Sequence, residues 1–239
     1  FLCHYIIKGD YMYLEGFRSA IEKRWSGSLF SVSDAMQVHN RAKEYLYRLW
    51  KKDEVRRAGW GWYYIPEDYR DVWDFLAKDK EFKVLIKQTA ASIWNYDFIH
   101  RDIYHLAVEN HSYKNALENF AKEKGWNFEV EYHDKIPYEY RKVDELFIES
   151  PESCAINCIS EWSFADVFAI LYFRREEINF DKLKQLSRWR RISKSDTRAW
   201  TAIKYGCKLL NEHLEKEIYK VRIRDLKQED VKELIRGSG

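Results

Sequence analysis

Apolar positions along the first third of the chain repeat at helical and then at strand spacing. Leu14, Phe17, Ala20 or Ile21, and Trp25 predict a helix from Met12 to Trp25, ended by Ser26-Gly27-Ser28. Ser31, followed three residues later by Asp34, reads as a capping box that opens a short helix over Val32 to Val38. His39-Asn40 makes the turn into a third helix, Arg41 to Lys52. Its inward stripe is Ala42, Tyr45 or Leu46, and Leu49, while Arg41, Lys43, Glu44, Tyr47, Arg48 and Lys51 face outward. Glu54 to Arg57 and Trp62 to Ile65 flank Ala58-Gly59-Trp60-Gly61 and predict a hairpin, stopped by Pro66. In that hairpin Trp62 and Tyr64 are expected to pack and Trp60, at the tip, to be exposed.

Further on, the pattern predicts helices from Pro66 to about Ala77 and from Phe82 to Tyr96, and a strand from Asp102 to Val108. Ser112 to Lys124 is amphipathic and closed by Gly125; Trp126 to His133 alternates as a half-buried strand; Val143 to Ile148 reads as one more strand. After Ser150-Pro151-Glu152 the chain reads as all helical, over about 152–161, 163–176, 180–191, 195–214 and 225–236. The fold class expected is α+β and mainly helical. A small α/β layer and a helical region follow the N-terminal module, with a division into residues 12–66 and 67–239.

The 239 residues suffice for one large domain or two small ones, and the three Pro and nine Gly leave little room for irregular linkers. No apolar stretch approaches the roughly 20 residues of a membrane helix, and no signal-peptide pattern is visible, so a cytoplasmic protein is expected. Met12 reads as a candidate initiator behind a short extension. Cys3, Cys154, Cys158 and Cys207 form neither a dense disulfide framework nor a zinc set and read as reduced thiols. The net charge is only +2, but residues 12–66 hold ten Lys or Arg against six acids, so the rest sums to −2.

Helix, short helix, turn, longer helix and hairpin follow one another as in a winged helix-turn-helix, whose helix after the turn enters the DNA major groove. The candidate DNA-binding residues are Ser33, Asn40, Arg41, Lys43, Glu44, Tyr47, Arg48, Lys51, Arg56, Arg57 and Trp60. Arg41 and Arg48 suit guanine edges or phosphates; Asn40 suits adenine or the helix cap. Lys43, Lys51 and Lys52 suit phosphates, and Arg56 and Arg57 the backbone or minor groove. The same module also serves as a protein-interaction scaffold, and a basic helix face can be merely solvated. A second basic run, Lys182, Lys184, Arg188, Arg190, Arg191, Lys194 and Arg198, has Asp196 as its one acid between 182 and 198. It reads as a second nucleic-acid surface, a docking face for an acidic partner, or a solvated helix face.

No phosphate-binding glycine loop or nucleophile elbow occurs, and no cofactor or metal is expected. The enzymatic alternative is a metal-dependent nuclease built on Asp102, Glu129, Glu131 and Lys135. His100, His105, His111 and His133 stand at spacings unsuited to metal ligation.

Phe30-Ser31-Val32-Ser33-Asp34-Ala35, Tyr45-Leu46-Tyr47-Arg48-Leu49 and Trp62-Tyr63-Tyr64-Ile65-Pro66 resemble the N-terminal winged helix of the AbiEi-type antitoxins of type IV toxin–antitoxin systems. Glu149-Ser150-Pro151-Glu152-Ser153-Cys154-Ala155 is similar to the segment opening that family's helical part. Phe180 to Leu214, with Ala202-Ile203-Lys204-Tyr205-Gly206, resembles its closing helices. Asp53 stands where the family usually has Gly, and Ser153 where it has a basic residue. The resemblance implies an autoregulating repressor that binds inverted promoter repeats, possible dimerisation on DNA, and a nucleotidyltransferase-like toxin as partner. It also places the antitoxin activity in the C-terminal domain, where the 182–198 cluster would lie.

Overall fold

The computed structural model describes the backbone of residues 2–97, 99, 102–160, 163–189 and 195–215, and the side chains of 13–97, 99, 102–159, 163–186 and 203–215. Its elements are mixed α and β. In chain order they begin α1 (Leu2–Trp25), β1 (Phe30–Ser31), α2 (Val32–Met36), α3 (Ala42–Lys51), β2 (Arg56–Gly59) and β3 (Trp62–Tyr64). Next come α4 (Val72–Lys78), β4 (Lys83–Leu85), α5 (Lys87–Trp94), β5 (Tyr104–Val108), α6 (His111–Lys124) and β6 (Phe128–Tyr132). β7 (Tyr140–Val143), β8 (Leu146–Glu149), α7 (Pro151–Ser160), α8 (Phe164–Phe173), α9 (Phe180–Trp189) and α10 (Ser195–His213) complete the order. No helix among the described residues is long and apolar enough to cross a membrane. The helix expected over 225–236 lies outside the described residues.

The chain packs as two compact units, residues 1–83 with 108–135, and residues 84–107 with 136–239. The first unit therefore runs past residue 66, the division expected from the sequence, and takes in α4, α6 and β6.

In the first unit the local signals act as read. Ser31 Oγ accepts from the Asp34 amide at 3.1 Å while the Ser31 amide donates to Asp34 Oδ2 at 2.8 Å, a complete capping box on α2. Leu14, Phe17 and Ile21 of α1 meet Ala42, Tyr45, Leu46 and Leu49 of α3 in one core with Phe30, Ala35, Val55 and Tyr63. Each large side chain so buried contributes about 1.5–3 kcal/mol. Asp53 ends α3 with φ 58°, a left-handed conformation that Asp tolerates better than most side chains. β1, β3 and β2 form an antiparallel sheet in that order, with Phe30 opposite Tyr63 and Arg57 opposite Tyr63 on the other side. Gly61, at φ 73°, turns the hairpin, and its carbonyl accepts from the first amide of α2 at 2.8 Å.

All three residues of β3 are buried, because the sheet is covered on both faces. Tyr63 enters the α1–α3 core, while Trp62 meets Tyr113 (ring centres 5.3 Å apart) and Tyr64 meets Phe120 (4.9 Å) on α6. β2 lies so close to α6 that a Cβ on Gly59 would stand 3.3 Å from the Ala116 Cα. α6 begins with Asn110 accepting from the Ser112 and Tyr113 amides and ends on Gly125 at φ 74°. Phe75 of α4 packs on Phe120 and Trp126.

Three expectations need correction here. The helix expected from Pro66 starts only at Val72, where the Asp71 side chain accepts from the Asp74 amide and supplies the cap. The helix expected over Phe82–Tyr96 is a strand followed by a helix: Val84 and Leu85 pair in parallel with Phe147 and Ile148, and Lys87, at φ 50°, breaks the run. The single strand expected over Val143–Ile148 is divided by a hairpin turn: Val143 ends β7, Leu146–Ile148 belong to β8, and Asp144, at φ 52°, lies in the turn between them.

In the second unit the strands run β5-β4-β8-β7. The buried Glu149 carboxylate at the end of β8 accepts from the Lys87 amide (3.0 Å) and Ser153 Oγ (2.7 Å), and takes a further bond from Asn157. The Glu149 carbonyl accepts from Trp94 Nε1 at 2.7 Å. α7 packs on α5, α8 and α9. Cys154, Cys158 and Cys207 are free thiols in the interior. Burial, and then the neighbouring Cys158, push the Cys154 thiol well above its usual range; burial pushes Cys207 to about 12.

Candidate nucleic-acid interface

α3 turns its apolar stripe inward, and the opposite face is left to Arg41, Lys43, Glu44, Tyr47, Arg48 and Lys51. Arg41 is the residue flanking the helix start, and its side chain makes no cap bond, so the helix is not capped by Asn40 as one sequence reading allowed. Asn40 and Ser33 are both exposed, in the turn before α3 and on α2.

One carboxylate organises the middle of this face. Glu44 Oε2 accepts from Arg41 Nε (2.9 Å) and Nη2 (2.7 Å), and Glu44 Oε1 accepts from Arg48 Nη2 (2.5 Å). The spacings are i,i+3 and i,i+4, which place these side chains side by side on a helix. The side chains remain open to water, at 46% for Arg41, 41% for Glu44 and 39% for Arg48. Pairs this exposed contribute little to stability, at most about 1 kcal/mol each. Their effect is to hold two guanidinium groups at set positions.

The hairpin divides its two arginines between faces. Residues directly opposite in an antiparallel pair point to the same side of the sheet. Arg57, opposite Tyr63, turns towards α3, with its guanidinium 4.3 Å from the Trp50 ring centre and 5.7 Å from that of Tyr63. Arg56, opposite Tyr64, turns towards α6. It donates to Asp53 Oδ1 (3.0 Å) and Oδ2 (3.1 Å) and to Glu123 (3.4 Å), and Glu123 also accepts from the Tyr64 hydroxyl. The bond to Arg56 holds the Asp53 carboxyl below its usual range. Burial, and then Glu123, raises the Tyr64 phenol.

Trp50 is a site residue that the sequence reading passed over. It is half-buried, lies 5.9 Å from Tyr47, and carries Lys51 Nζ at 4.9 Å as well as Arg57 at 4.3 Å. It links the helix face to the hairpin, and its signal was present in its i+3 spacing from Tyr47. Trp60 at the hairpin tip is 100% exposed.

The second basic run is only partly within the described residues. Lys182 pairs with Glu139 at 2.7 Å, and Lys184 is exposed. Arg188 and Arg198 lie on α9 and α10 with side chains outside the described residues; Arg190, Arg191 and Lys194 lie wholly outside them. Of the carboxylates considered for a nuclease, Glu131 pairs with His133 Nε2 at 3.0 Å. Among the described residues no group of three or more His, Cys, Asp or Glu could hold a metal ion. No protein-family model and no curated protein matches the chain.

Proposed function

We propose that the protein is a sequence-specific double-stranded DNA-binding regulator, in which α3 enters the major groove and the β2–β3 hairpin lies against the flanking backbone as a wing. One observation carries this reading: Arg41, Lys43, Arg48 and Lys51 share an open helix face, which Arg57 joins through Trp50. The antiparallel β1-β3-β2 sheet beside α1, α2 and α3 supports a winged helix-turn-helix. The narrower reading, an autoregulating antitoxin-like repressor, rests on the sequence resemblance. A nucleotidyltransferase encoded beside it, neutralised on co-expression, is its test.

The test of DNA binding is a salt titration of a labelled duplex. The logarithm of the binding constant should fall linearly with the logarithm of salt, by about 0.9 per phosphate neutralised. Arg57→Ala should weaken binding and flatten the slope by about one contact. Arg56→Ala should change the slope less, since two carboxylates, Asp53 and Glu123, offset its single charge, whereas Arg41 and Arg48 share the one carboxylate of Glu44. Affinity that is absent, or indifferent to salt, refutes the reading.

A further inference from the structure

We infer that Glu44 makes this interface select cytosine, so that its preferred duplex carries a C·G pair at the centre of the α3 contact with guanines beside it. The inference rests on the DNA-binding reading above and deepens it.

A carboxylate in the middle of a basic face is repelled by phosphates, and a donor on a base edge is the nucleic-acid group that would favour it there. In the major groove the cytosine N4 amine is a donor that Asp or Glu accepts, while guanine O6 and N7 are matched by arginine. Glu44 stands between Arg41 and Arg48 on an exposed helix face and already accepts from both. A carboxylate has about four lone-pair positions, so it can keep its arginines and still accept one cytosine proton. At 1.5 Å per residue, Arg41 and Arg48 lie about 4.5 and 6 Å along the axis from Glu44. With bases stacked about 3.4 Å apart, the three side chains address neighbouring base pairs. The pairs with Glu44 favour these guanidinium positions before DNA arrives, by at most about 1 kcal/mol each, which lowers the ordering cost of reading them to that extent.

The test is selection from random duplexes at one salt concentration with the full chain, Glu44→Gln and Glu44→Ala. The wild type should enrich one cytosine position flanked by guanine and discriminate against other bases there about 5- to 150-fold. Both variants should lose that preference while their affinity for unrelated duplex rises, because a negative charge leaves the face. Wild-type sites without a preferred cytosine, or an unchanged preference in both variants, overturn the inference and leave the DNA-binding reading standing. Failure of the wild type to bind any duplex overturns both.

Discussion

Asp79 gives the most direct test of how the first unit is held together. Its carboxylate has no exposed surface, and the Lys83 side chain beside it is 6% exposed, with Nζ to Oδ2 at 2.9 Å. Asp79 Oδ1 also accepts from Ser28 Oγ and the Leu29 amide, both at 3.0 Å, and Oδ2 accepts from the Tyr113 hydroxyl. One side chain thus ties the segment entering β1 to α6. Asp79→Ala removes the partner of a buried ammonium, which costs about 3–5 kcal/mol, and orphans the Leu29 amide at a further cost of about 1 kcal/mol or more. Lys83 Nζ keeps the Asp79 carbonyl (2.7 Å) and the Glu81 carbonyl (3.2 Å), which places the pair loss at its lower end, about 3 kcal/mol, and the total at about 4 kcal/mol. Lys83→Met alone should cost less, since Asp79 retains three donors. In the double variant no buried ammonium remains, and the two costs should fall short of additivity by about 1 kcal/mol or more. Urea unfolding followed by tryptophan fluorescence reads these values as midpoint shifts, and hydrogen exchange at Leu29 localises the effect. A loss below about 1 kcal/mol for Asp79→Ala, or strict additivity in the cycle, refutes the reasoning.

Trp60→Ala should leave stability within about 0.5 kcal/mol, because the side chain is fully exposed, and should weaken duplex binding in the same preparation; unchanged affinity removes Trp60 from the interface. Glu81 is raised from an ordinary 4.5 to about 7, first by burial and then by the charges of Asp79 and Asp34. A carboxyl raised on folding contributes stability that is present below the unfolded value and lost as pH climbs through the folded one. Stability should therefore fall between about pH 4.5 and 7, and Glu81→Gln should flatten that fall in urea midpoints measured across the window. Gly206→Ala gains helix propensity of about 1 kcal/mol, yet its Cβ would stand 2.2 Å from the Phe168 ring. The clash between α10 and α8 should prevail, lowering stability by about 1–3 kcal/mol in the same assay.

Local chemistry by itself determined much of the first unit. The Ser31–Asp34 box, the Ala42, Tyr45, Leu46 and Leu49 stripe, and the Gly125 cap each satisfy backbone groups or bury side chains within a few residues, so their spacing is sufficient evidence of them. The outward face of α3 followed from the same periodicity. Pairing and second layers were decided only in three dimensions. Val84 and Leu85 became a strand because Phe147 and Ile148, some sixty residues on, offered them parallel partners, which no local pattern encodes. Trp62 and Tyr64 are buried along with Tyr63 because α6 covers the far face of a hairpin that would otherwise alternate. The same cover separates Arg57, left beside Trp50, from Arg56, drawn to Glu123. Adjacent arginines look alike in sequence, and the element that meets each face of the sheet gives them different work.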